Sequence, residues 1–180
     1  MTPAIRRPVP PFAIVIATIC SLCLSWGAHA QTAKAIADAE AESWAESTIT
    51  LPTAFSVDKL QTFELGQRSA LTYGIDPSTL SVGADGVVRY VLVARSERGA
   101  LNVLYQGLRC QTAEVKTYGR WDNRSSWNTD SKDGWQPLAS KGFTQPSLVL
   151  ARSGVCEGRT VNGTPQNILR TLKNGRPNSG

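Results

Sequence analysis

The sequence predicts an α+β fold: an antiparallel β-meander core with an N-terminal helix, a short C-terminal helix and one disulfide. Three observations lead there. From Leu71 to Tyr118, β-branched and aromatic residues recur in short runs broken by turn residues, which is the pattern of successive strands. Near the end, Thr164 can cap a helix, Pro165 fits its first position and Gly175 can stop it. Of the four cysteines, only Cys110 and Cys156 lie beyond the first thirty residues.

Those first residues read as a secretory signal peptide. Arg6 and Arg7 precede an apolar run from Phe12 to Trp26, and Ala28-His29-Ala30 stands just before Gln31, giving the charged, apolar and small-residue order of such leaders. The run of about 15 residues is shorter than the roughly 20 that a spanning helix needs. No transmembrane anchor is therefore expected in the mature chain. Cys20 follows Ile19 and Cys23 follows Leu22, so neither offers a lipid-attachment site. Cleavage after Ala30 also removes the single histidine and the single methionine. The exported chain then lacks an imidazole for nucleophilic catalysis or metal binding, and no metal or cofactor is implied.

The elements follow in order. Residues 33–46, AKAIADAEAESWAE, are rich in Ala and Glu and read as a helix within a leader segment, 31–50. Leu51-Pro52 opens a different composition, and the β-rich domain is expected over 51–157. Within it, residues 81–110 read as three consecutive strands. Asp85-Gly86 is a two-residue type I′ turn signal that would pair Ala84 with Val87. If Ser96 to Gly99 forms the next loop, Arg95 opposes Ala100 and Tyr90 opposes Tyr105. One face then carries Val88, Tyr90, Leu92, Ala94, Leu101, Val103 and Tyr105 as core. The other carries Val87, Arg89, Val91, Val93, Asn102, Leu104, Gln106, Leu108 and Cys110, and should be partly covered. The tail, 158–180, holds a helix of about ten residues with Ile168, Leu169 and Leu172 on one stripe, expected to dock weakly.

An oxidising compartment favours pairing Cys110 with Cys156. The bridge would bring residues 147–151 against the face that carries Cys110. Lys and Arg outnumber Asp and Glu 19 to 14, and losing Arg6 and Arg7 with the leader leaves a net of +3. Arg159, Arg170, Lys173 and Arg176 follow the last acid, Glu157. Four cations so widely spread suit solubility better than nucleic-acid binding.

The central segment is similar to a known family. Ile75-Asp76, Ser78 to Leu80, Ser81-Val-Gly-Ala-Asp-Gly-Val-Val-Arg-Tyr90, Val93 to Ser96 and Gly107-Leu-Arg-Cys110 resemble the cryptic neisserial protein family. Tyr118-Gly-Arg120, Trp127 and Trp135 resemble the next part of that family's pattern. The resemblance covers roughly residues 50–156, and it implies an uncharacterised bacterial envelope or periplasmic protein. It carries over no catalytic residues.

The candidate site is Tyr118-Gly-Arg-Trp-Asp-Asn-Arg-Ser-Ser-Trp127, continuing to Trp135 and read as a loop. Arg120, Trp121, Trp127 and Trp135 combine stacking faces with a cation, a set that can hold a glycan or an anionic surface. Tryptophans in a small domain are also frequent packing anchors. Without histidine, a hydrolase would rest on paired carboxylates, Asp122 with Asp130 or Asp133. Asp85 and Glu97 sit in tight turns and suit that role less well. The sequons at Asn123 and Asn162 matter only in a eukaryotic secretory pathway. The expectation is a non-enzymatic binding or interaction protein of the periplasm or envelope, whose partner is an envelope protein, a glycan or an anionic surface. The alternative is a carboxylate-dependent hydrolase acting on an envelope glycan.

Overall fold

The computed structural model describes residues 44–66, 69–130 and 133–175. The expected signal peptide and nearly all of the expected N-terminal helix lie outside the described residues, and the last three positions of that helix, 44–46, are not helical. Every strand and helix described belongs to one compact unit within 46–180.

Among the described residues, ten strands and two short α-helices give an α+β architecture stapled by a Cys110–Cys156 disulfide. In chain order the strands are β1 (Gln61–Phe63), β2 (Leu71–Ile75), β3 (Ser81–Val82), β4 (Val87–Ser96), β5 (Leu101–Arg109), β6 (Glu114–Trp121), β7 (Trp127–Asn128) and β8 (Gln136–Pro137). Helix α1 (Gln145–Leu150) runs into a wide helical turn, Ala151–Val155; β9 (Cys156–Glu157) and β10 (Thr160–Val161) form a small hairpin, and α2 (Pro165–Asn174) closes the unit. The main sheet has the order β1-β2-β4-β5-β6-β7, with β3 sharing an edge of β4 and β8 sharing an edge of β6. All of its pairings are antiparallel.

Strands β3, β4 and β5 form the expected meander, but both turns contain three residues. Val82 pairs with Val88, the Gly83 amide bonds the Val87 carbonyl, and Gly86 has φ 72°. Arg95 pairs with Leu101, the Ser96 amide bonds the Ala100 carbonyl, and Gly99 has φ 83°. Each is a type I turn closed by a left-handed glycine, the three-residue hairpin loop. A type I′ turn would need positive φ at Asp85 as well, a cost that an L-residue avoids when the next residue is glycine.

The second loop corrects the register by one. Tyr90 opposes Gln106, and Val91 opposes Tyr105. Because side chains alternate between faces, this single step moves all of β5 to the other side. One core therefore joins Val88, Tyr90 and Leu92 to Leu104, Leu108, Cys110, Leu150, Val155 and Ile168. Residues 147–151 do pack near Cys110, but on the Tyr90 face. Helix α2 is more than a weak attachment, since Ile168 is fully buried in that core.

The opposite face carries Val91, Val93, Val103, Tyr105 and Tyr118. Residues 46–60 run across it as an irregular strap, laying down Ile49, Leu51, Phe55, Val57 and Leu60. Polar ties fix the strap at intervals. The Ser47 amide donates to Asp85 Oδ2 at 2.9 Å, the Ser56 amide to Asp76 Oδ2 at 2.8 Å, and Arg95 to the Val57 carbonyl. Under it, Arg89 is 6% exposed and grips Asp85 through both terminal guanidinium nitrogens, Nη1 at 3.1 Å and Nη2 at 2.5 Å. The sheet is thus covered on both faces.

Candidate functional site

The stretch Tyr118–Trp127 is a hairpin, with its loop confined to 122–126. β6 continues through Trp121, and β7 begins at Trp127, directly opposite it. Asp122 builds the turn between them: its Oδ1 accepts the amides of Arg124, Ser125 and Ser126 at 2.8, 3.0 and 3.1 Å, and its Oδ2 accepts the Ser126 hydroxyl at 2.8 Å. These donors hold its carboxyl well below the usual carboxylate range.

Cross-strand pairing and the strap create an aromatic cluster. The Trp121 and Trp127 rings meet edge-on at 5.3 Å, and Phe55 of the strap packs against Trp121 at 5.0 Å and Trp127 at 5.3 Å. Trp127 faces inward toward Tyr105 and donates its indole N–H to the Pro52 carbonyl at 2.9 Å. Trp121 borders an open groove of about 570 Å³, lined also by Phe55, Val57, Leu101, Val103 and Asn123. The two rings play different parts: Trp127 anchors the strap, and Trp121 forms a groove wall.

The other two sequence candidates lie elsewhere. Arg120 and Trp121 are consecutive in a strand, so the pleat turns them to opposite faces. Arg120 lies on the helix-covered face, lining a cleft between the sheet and the start of α1, with Asp133 Oδ2 4.0 Å away. Trp135 borders a third environment, where the Lys116 ammonium lies 5.9 Å from its ring centre and 5.5 Å from that of Tyr118. Lys116 also pairs with Glu46 at 2.8 Å. Burial opposes ionisation of Glu46, but hydrogen bonds from Lys116, Tyr118 and Trp135, together with the Lys116 charge, hold the carboxyl below its ordinary value. The Tyr118 phenol is pushed up by burial and by the Glu46 carboxylate. Of the four candidates, only Trp121 and Trp127 come together.

Sequence reading missed Phe55, which supplies the groove's second ring from a segment remote in the chain. It also missed Phe143 and Leu71, which line the Arg120 cleft. For Phe143 a signal existed: it is a lone aromatic in the turn-forming run Ser140-Lys-Gly-Phe-Thr144. Among the described residues, no three His, Cys, Asp or Glu side chains are placed to hold a metal ion, and no helix is long and apolar enough to cross a membrane.

A family model matches residues 39–173, from the strap region through β10 and nearly all of α2. The chain belongs to the CNP1-like family. The match extends well past Cys156, so the β9–β10 hairpin and most of α2 are part of what defines the CNP1-like chain. Comparison with curated proteins and with solved structures returned no match.

Proposed function

We propose that this CNP1-like protein is exported, and that it acts in the periplasm or at the envelope as a non-enzymatic binding protein for a glycan held in the Trp121 groove. The observation that carries the reading is the pairing of two aromatic walls, Phe55 and Trp121, beside an open groove. An indole face gives a sugar ring an apolar surface to stack on, and beside it Asn123, whose Nδ2 donates to the Leu101 carbonyl at 3.2 Å, presents its side-chain carbonyl as an acceptor for hydroxyls. With Arg120 turned to the other face, the groove suits a neutral sugar better than an anionic surface. The disulfide fits an oxidising compartment. The hydrolase alternative finds less support, because Asp122 spends its carboxylate on the turn amides and is held ionised, away from the near-neutral pKa that acid–base catalysis favours.

The test compares wild type with Trp121→Ala for retention on envelope glycan fractions, alongside thermal stability. Loss of binding equivalent to roughly 1–3 kcal/mol with folding retained supports the reading. Equal retention of both proteins, or no retention of either, refutes it. Export is checked separately by the intact mass of the secreted chain, expected to begin at Gln31.

A further inference from the structure

The second concavity lies on the opposite side of the sheet. Among the described residues, the large hydrophobic side chains left exposed are Leu71, at 38%, and Phe143, at 68%. Both line the same cleft of about 150 Å³, with Tyr73 and Leu104 contributing further apolar wall and Arg120 a cation. Chance would scatter exposed apolar groups singly over the surface. Here they converge on one opening.

The cleft is built on rigid parts. Its floor includes Gln106, 1% exposed, which donates to Thr117 Oγ1 at 3.1 Å and accepts from the Ser147 hydroxyl at 3.1 Å. These bonds tie β5 to β6 and to α1, and the disulfide binds the end of β5 to the segment that follows α1. The cleft mixes apolar wall with polar groups, Asn102, Gln106, Thr117 and Gln145 among them, and its volume is enough for a benzene-sized group. At 4.0 Å between two half-exposed side chains, the Arg120–Asp133 pair is a loose surface contact that an incoming anion can replace.

We propose that this cleft binds a small amphipathic carboxylate, with an aromatic ring or short acyl chain in the cavity and the carboxylate on the Arg120 guanidinium. Charge complementarity selects the head group, because guanidinium and carboxylate form paired, charge-assisted hydrogen bonds. Cavity volume limits the apolar part to a ring or a few methylenes. The site shares no residue with the Trp121 groove, so the two readings stand or fall separately.

Phenylacetate and pentanoate serve as probes, titrated into the exported chain and followed by ligand-observed NMR, with phenylacetamide as the neutral control. Dissociation constants on the order of 0.1–1 mM are expected for ligands this small. Arg120→Gln should weaken the carboxylates about tenfold and leave the amide unchanged. Phe143→Ala should weaken the acids and the amide alike. Both side chains are substantially exposed, so melting temperatures should match wild type and confirm that folding is intact. A preference for one acid identifies the apolar part as ring or chain. The proposal is overturned if neither acid binds, if phenylacetamide binds as well as phenylacetate, or if both variants bind like wild type. Sedimentation showing a dimer that Phe143→Ala dissociates would also overturn it, reassigning the cleft to contact between copies.

Discussion

Removing one member of the Asp85–Arg89 pair should destabilise the fold far more than a turn residue and a strand arginine would suggest. The side chains are 1% and 7% exposed, and they meet through two contacts, at 3.1 and 2.5 Å. Asp85 also accepts the Ser47 amide at 2.9 Å and the Val87 amide at 3.2 Å, joining the strap to the β3–β4 hairpin. Asp85→Ala leaves a guanidinium buried without its counter-ion, a situation that costs about 3–5 kcal/mol. Arg89→Met keeps the two amide bonds to the carboxylate and should cost less, about 2–3 kcal/mol, because those donors already offset part of its burial. In the double variant, Asp85→Ala with Arg89→Met, the loss should fall well short of the two single losses added together. Urea unfolding of the three variants against wild type measures this coupling. Its pH dependence follows in sign. Despite burial, Arg89 and the two amides hold the Asp85 carboxyl below its ordinary value of 3.8, so its stabilisation is complete above the ordinary carboxylate range. It is lost as pH falls from there toward the lowered folded-state value. The stability gap between wild type and Asp85→Asn should accordingly narrow in acid and stay constant from about pH 5 to 8. Single losses below about 1 kcal/mol that add in the double variant would mean the pair behaves as a solvated surface contact, and the buried-clasp account would be wrong.

Three further outcomes follow from the packing. The disulfide closes a loop with a sequence separation of 46, so Cys110→Ser should lower stability by about 4 kcal/mol on the chain-entropy relation, read by urea unfolding against oxidised wild type. Ile168→Ala should cost about 2–5 kcal/mol, because its side chain is fully buried in the helix-covered core; a loss near zero would detach α2 from the fold. Trp127→Ala should destabilise by about 3–5 kcal/mol through lost ring packing and the Pro52 bond, while Trp121→Ala costs clearly less; equal losses would deny the anchor and wall roles.

What the sequence made legible was local. The strand run, the Thr164–Gly175 helix signals and the cysteine pair each rest on short-range chemistry, and each reappears: α2 is capped by the Thr164 side chain at the Asn167 amide and ends at Gly175. Register was not legible, because one residue in a loop decides it. Gly99 could close a three-residue loop or end a four-residue one, and only the completed sheet distinguishes them. The strap was also hidden, since Ile49, Leu51, Phe55 and Val57 alternate like a strand yet pair with none. Their role comes from the face they cover, a property of residues 91–121.

The same period of two explains why the proposed site divided. A motif read along the chain treats Arg120 and Trp121 as one constellation, but adjacent strand residues cannot serve one ligand when the sheet between them is packed on both sides. The pleat sends the cation to the helix-covered face and the indole to the strap-covered face. Each then acquires partners from distant segments, Phe143 and Leu71 in one case and Phe55 in the other. Chemistry that looked like a single cationic, aromatic surface becomes two smaller sites of different character. Arg120→Gln should therefore leave glycan retention untouched, and Trp121→Ala should leave carboxylate binding untouched. Measuring both ligands on both variants tests that separation directly, and any variant that weakens both ligands without losing stability would show that the faces communicate through β6.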